Sequence, residues 1–177
     1  MYGDSLKRFK NVLTILSVIL FFSACGFAQS SHAKKIQEDS GQMQLKKEAT
    51  TSSDPWTVKN VVTVKELGAE LSSKKNKPVL LHVGFSFLYQ QSHIPGSIYV
   101  GPARSKDGIN SIKEAVKHYK KNKSIVLYCG CCPWTDCPNI RPAYETLNKL
   151  GYKNVKVLYI PDSFMKDWTK HGYPAVK

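Results

Sequence analysis

From Val61 onward, apolar residues follow two patterns that alternate along the chain. Val79-Leu80-Leu81-His82-Val83, directly after Pro78, is a short continuous apolar run, as a strand buried on both faces requires. Ser124-Ile125-Val126-Leu127-Tyr128 is the strongest such run, and Val155 to Ile160 is a third. Between them the spacing becomes helical. Thr63 and Glu66 form a capping box ahead of a short helix through Leu71. Ser111 and Glu114 form a second box, followed by Ile112, Ala115, Val116 and Tyr119 at i, i+3, i+4 and i+7. Ala143, Leu147 and Leu150 line a further helix that Gly151 closes, and Ser163 begins a last one that Gly172 ends. Strands separated by helices predict an α/β fold: an open parallel sheet flanked by helices on both faces.

The N-terminal part reads differently. Lys7, Arg8 and Lys10 precede an apolar run of 11 residues, Val12 to Phe22, too short to span a bilayer comfortably. Residues 1–28 therefore read as a signal peptide, with cleavage after Gly26-Phe27-Ala28 and before Gln29. Alternatively, Phe22-Ser23-Ala24-Cys25 resembles a bacterial lipobox, in which case the signal ends before Cys25 and that residue carries the lipid anchor. Both readings place the mature chain outside the cytoplasm, in the periplasm or cell envelope, the second with membrane anchoring at its N-terminus. Residues 29–60 are polar, with no periodic apolar pattern, and predict a flexible tether. Residues 61–177 form the folded domain.

Composition changes this picture little. An apolar content of 42% is enough to build a core without staples. The formal charge is +13, but 23 of the 26 basic residues are Lys, spread along the chain rather than concentrated. That is a solvated Lys-rich surface, which can draw in small anions; nucleic acid is not an expected partner, because Arg is scarce and no basic stripe forms.

The chemistry is concentrated in one loop. Four of the five cysteines fall within Cys129-Gly130-Cys131-Cys132-Pro133-Trp134-Thr135-Asp136-Cys137. Cys129 directly follows the strongest strand, and ligands of open α/β sheets sit at the carboxyl ends of strands. Amide groups of the loop, from Gly130 and Cys131, and the start of the next helix can cradle an anion and favour a thiolate. Arg141, at that helix start, is placed to add a guanidinium to the cradle. His82 and His93 read as structural, Trp134 as a cover over the loop, and Trp168 as core.

These motifs resemble a known family. Ser92-His93-Ile94-Pro95-Gly96-Ser97 is similar to the G-H-I-P-G-A signature of rhodanese-like domains. Ile125 to Cys129 resembles the family's strand ending in its active cysteine. Leu150 to Val155 resembles its helix exit and following strand, and Trp168 with His171-Gly172-Tyr173-Pro174 its C-terminal signature. The resemblance implies a rhodanese-like fold and sulfane-sulfur transfer. Cys129 would form a persulfide with a small anionic donor such as thiosulfate and pass the sulfur to a thiol or cyanide-like acceptor, with no cofactor. The chain departs from the family in two places. His82-Val83-Gly84 stand where the family often has Asp-x-Arg, and eleven residues, not a compact loop, separate Cys129 from Arg141.

The additional cysteines carry two further readings. In an oxidising compartment, Cys137 is expected to form a disulfide with Cys131 or Cys132, leaving Cys129 free; the competing arrangement pairs Cys129 itself with a neighbour. Alternatively, the chain is a non-catalytic rhodanese-like module that binds a redox partner or a soft metal, Cu or Zn, through Cys131, Cys132 and Cys137.

Overall fold

A computed structural model of the chain describes residues 31, 33–73 and 76–177. The signal segment 1–28, with Cys25 and both cleavage sites, lies outside the described residues. The described residues fall into two units that divide between Gln42 and Met43. A helix, α1, occupies residues 33–48. Among the described residues no helix is long and apolar enough to cross a membrane.

The second unit is built on five short parallel strands. They are β1 (Val61–Val62), β2 (Val79–His82), β3 (Ile98–Tyr99), β4 (Ile125–Tyr128) and β5 (Val155–Leu158). Their order across the sheet is β1-β5-β4-β2-β3, so β4 is central. Every residue of β2 and β4 is buried, as the continuous apolar runs predict. Five helices follow in the chain: α2 (Val64–Ser72), α3 (Ser86–Gln91), α4 (Lys106–Val116), α5 (Ile140–Lys149) and α6 (Phe164–Asp167).

Strand side chains alternate between the two faces of the sheet. On one face Leu81, Ile125, Leu127, Cys129 and Val157 pack with Ile112 and Val116 of α4 and with Ile140, Ala143, Tyr144 and Leu147 of α5. On the other, Leu80, Val126, Tyr128 and Leu158 pack with Leu67 of α2 and with Phe164 and Trp168 beside α6. Two cores, one on each side of the sheet, give the layered architecture expected from the alternating pattern.

Several local signals hold. Thr63 accepts from the Glu66 amide (3.3 Å), and the Glu66 carboxylate accepts from the Thr63 amide (2.9 Å), closing the capping box of α2. Gly151 takes φ +82° just after α5. Trp168 is fully buried, and its Nε1 donates to the Pro174 carbonyl (2.9 Å). His93, which bridges to Val176, leads into the turn at Pro95–Gly96: its Nδ1 lies 2.8 Å from the Tyr89 carbonyl, and its ring stacks on Tyr89 at 3.8 Å.

Two expectations are corrected. The helix expected to begin at Ser111 begins a turn and a half earlier, capped by Ser105, whose hydroxyl accepts from the Gly108 amide (3.0 Å). Ser105 caps because the chain enters there extended, whereas Ser111 already lies inside α4. The tether expected over 29–60 is also more ordered than its composition suggests. Its residues 33–48 are helical, and from Met43 it belongs to the compact unit. Ala49 is fully buried and Trp56 nearly so; Trp56 Nε1 donates to the Ala49 carbonyl (3.1 Å), and its ring meets Trp134 and Tyr144. One large aromatic anchor supplies the burial that the segment's average polarity hides.

Candidate active site

The carboxyl end of β4 is where the loop signals converge. His82 at the end of β2 pairs in register with Tyr128 at the end of β4, and Cys129 is the next residue. Cys129 is 3% exposed. Gly130 must turn the chain sharply: its φ is +70°, and a Cβ there would stand 2.7 Å from the Phe164 Cβ and 2.9 Å from the Phe164 amide nitrogen. That close approach lets the Phe164 amide donate to the Gly130 carbonyl (3.2 Å). Farther along, the Trp134 amide donates to the Pro161 carbonyl (3.0 Å), while Trp134 Nε1 donates to the Ala49 carbonyl (3.2 Å). The long loop is thus fastened to the segment after β5 and to the segment before β1, and Trp134 is a pin as well as a cover.

Fastened this way, the loop folds back on Cys129. The Sγ atoms of Cys129, Cys131 and Cys137 all lie within 4.8 Å of one another, the first two 2.9 Å apart. Cys132 Sγ is 3.4 Å from Cys131 Sγ and turns toward the Asp136 carbonyl at 3.9 Å. Asn139, fully buried, donates its Nδ2 to Cys129 Sγ (3.7 Å) and Cys131 Sγ (3.8 Å), while its Oδ1 accepts from the Arg104 amide (3.1 Å). No sequence pattern marks Asn139. It stands at the N-cap of α5, yet its side chain serves the sulfurs and makes no cap bond.

The expected disulfide between Cys137 and Cys131 or Cys132 is not formed: all four described cysteines are free. The pairing was expected from an oxidising compartment, but the fold directs Cys137 inward, where three sulfurs meet at one point.

Charge is shared unequally among them. Hydrogen bonds with Cys131 and Cys137, followed by burial, push the Cys129 thiol far above its ordinary range. Hydrogen bonds from the Cys129 and Cys131 thiols hold Cys137 down to about 2, and the backbone N–H groups of Asn139 and Ile140 add to this. Those amides belong to the start of α5, where helix polarity favours a thiolate. Of these sulfurs, Cys137 is the one whose surroundings favour the thiolate. Burial pushes the Cys132 thiol up.

Arg141 takes partners other than the sulfurs. Its Nη2 lies 2.8 Å from Asp54 Oδ1, its Nη1 donates to the Cys137 carbonyl (3.5 Å), and its guanidinium sits over the Trp56 ring at 5.6 Å. It steadies the backbone at Cys137 from outside the cluster.

On its other side Cys129 borders a cavity of about 150 Å³, shared with His82, Leu88, Gly130, Ser163 and Phe164. His82 is buried, with its Nδ1 unpartnered, and burial lowers its pKa to about 4. Gly84 makes this arrangement fit, because a Cβ there would be 2.9 Å from Cys129 Sγ and 3.0 Å from His82 Cε1. The departure from Asp-x-Arg thus leaves room beside Cys129. His82 stands at a strand end next to the strand that leads into Cys129.

Comparison with known proteins settles the family. The model of the rhodanese-like domain matches residues 63–170. This chain belongs to the rhodanese-like domain family. The rhodanese-like chain also resembles solved structures. One is the Alr3790 protein of Anabaena sp., with 18% identity, TM-score 0.51, and coverage of 65% of this chain and 81% of that one. The BH2092 protein of Bacillus halodurans shares 22% identity at TM-score 0.51, covering 65% and 74%. The single-domain sulfurtransferase RDL2 of Saccharomyces cerevisiae shares 19% identity at TM-score 0.48, covering 70% and 95%. Likeness at these identities is likeness of fold. No curated protein matches the sequence. The rhodanese-like domain thus presents its family's strand-end cysteine within a sulfur cluster.

Proposed function

We propose that this protein is a sulfurtransferase in which Cys129 carries sulfane sulfur as a persulfide. The observation that carries this reading is the position of Cys129: at the carboxyl end of the central strand, bordering a cavity of about 150 Å³, in a rhodanese-like domain. The Cys129 sulfur attacks the outer sulfur of an anionic donor such as thiosulfate, the S–S bond of the donor breaks, and sulfite leaves. A thiol or cyanide-like acceptor then takes the outer sulfur and returns Cys129 to its starting state. The proton lost by Cys129 on attack has a nearby acceptor in Cys137, whose Sγ lies within 4.8 Å and whose surroundings favour the thiolate. The loop amides at Gly130 and Cys131 and the Asn139 amide are the groups available to stabilise the charge on the persulfide.

Mass spectrometry after thiosulfate treatment tests this reading. The chain should gain about 32 Da, one sulfur atom, and Cys129→Ser should gain nothing while melting as the parent does. Undiminished uptake by Cys129→Ser would move the nucleophile to Cys131.

The basic residues before Val12 and the short apolar run that follows support export of the mature chain to the periplasm or cell envelope. Sequencing of the mature N-terminus from the native host should return either Gln29 or a lipid-modified Cys25. A soluble cytoplasmic species that retains Met1 would refute export.

A further inference from the structure

The cysteine cluster holds more sulfur than one persulfide carrier needs. Cys129 already borders the cavity and has Asn139 as a donor. Cys131 and Cys137 nonetheless bring their sulfurs to the same point, from opposite ends of a loop that contains a 3₁₀ turn at Trp134–Asp136. Three sulfurs bound to one metal at about 2.3 Å stand about 4 Å from each other. The three Sγ atoms here lie within 4.8 Å of one another, and the 2.9 Å gap between Cys129 and Cys131 needs to widen by only about 1 Å to reach that spacing.

The donor set is soft. Among the described residues, no carboxylate or imidazole joins the group of three. Trp134 and Ile140 pack in the same apolar cluster as Cys129 and Cys137, which are 3% and 4% exposed. The loop's other sulfur, on Cys132, lies outside that group and turns toward the Asp136 carbonyl. Thiolates alone select a soft cation, whereas a structural zinc site calls for a tetrahedral fourth donor. Asn139 supplies the outer support that metal-bound sulfurs commonly have, an N–H directed at two of them.

We propose that Cys129, Cys131 and Cys137 form a three-sulfur binding site for Cu(I). Binding makes three Cu–S bonds and releases to solvent the protons still held by the thiols; copper stays monovalent and no electrons move. Because the site uses Cys129 Sγ, copper and a Cys129 persulfide exclude each other. The site itself stands on the sulfur geometry and does not depend on sulfur transfer.

The test is an anaerobic titration of the full, reduced chain with Cu(I) in competition with bicinchoninate. One equivalent should be withdrawn from the chelator, and X-ray absorption at the copper edge should show sulfur neighbours alone. Cys131→Ser and Cys137→Ser should each weaken binding by more than about 100-fold, beyond the usual cost of losing an outer partner. Circular dichroism confirms that each variant is folded, and Cys131, being half-buried, tolerates the change if Cys137 does not. Cys132→Ser and Cys25→Ser should bind within about threefold of the parent, less than 1 kcal/mol. Failure to take copper from bicinchoninate would overturn the site. So would a Cys132→Ser defect equal to that of Cys137→Ser, or one equivalent of Zn(II) that equimolar Cu(I) does not displace. Sulfur uptake measured by mass on metal-free protein is read separately, so failure of the copper site and failure of sulfur transfer are distinguishable.

Discussion

His82 shows how much one buried side chain can write into the behaviour of this protein. It is 3% exposed, has an unpartnered Nδ1, and titrates near 4 in the fold against 6.5 in the unfolded chain. Burial disfavours its charged form, so below 6.5 the unfolded state binds the extra proton and the folded state does not. Its contribution to stability is fully present above 6.5 and is lost as pH falls toward 4. Between about pH 7 and about pH 5 this amounts to roughly 2 kcal/mol. Thermal melts at both values should show that loss in the parent, and His82→Gln should flatten it. The same burial keeps the imidazole neutral around neutral pH, so a pH limb of sulfur uptake in that range does not come from His82.

At the scale of elements, the cluster depends on how α5 is anchored. Arg141 in its first turn reaches Asp54, 87 positions earlier in the chain, and also holds the Cys137 carbonyl. The Asp54 side chain is fully buried while that of Arg141 is 30% exposed, so the pair is only partly screened. A double-mutant cycle of Arg141→Ala and Asp54→Asn should return a coupling of about 1 kcal/mol in denaturant melts. Equal rises in the thiosulfate KM for the two single variants would mark a positioning effect through the loop. A larger rise for Arg141→Ala alone would give its guanidinium the anion-binding role expected from its place beside the loop. The start of α2 and the stop after α5 needed no such distant partner: the Thr63–Glu66 box and Gly151 are each complete within a few residues.

For the whole molecule, the folded unit begins well before the first strand. Trp56 packs on Trp134 at 5.7 Å and on Tyr144 at 5.5 Å, and the Ala49 carbonyl accepts from both Trp56 and Trp134. This pre-strand segment is therefore a wall behind the cysteine loop. Trp56→Ala should cost about 3–5 kcal/mol in equilibrium unfolding, the range for emptying a buried aromatic site. Removing residues 1–60 should cost at least as much, whereas the family match begins only at residue 63. A truncated chain as stable as the parent would show that the wall is dispensable.

The sequence by itself determined the α/β order, the caps of α2 and α6, and the place of Cys129 at the end of the central strand. Each of those signals is written in neighbouring residues: apolar runs, capping pairs, a glycine after a helix. Only the tertiary structure decided what surrounds Cys129. Asn139 and Cys137 reach it because the loop is pinned by Ala49 and Pro161, and His82 reaches it through the register of β2 with β4. The inward turn of Cys137 removed the expected disulfide, and the burial of Trp56 turned an expected tether into part of the domain. These contacts join residues far apart in the chain, and they are set by packing and strand pairing, which no local pattern of polar and apolar positions encodes.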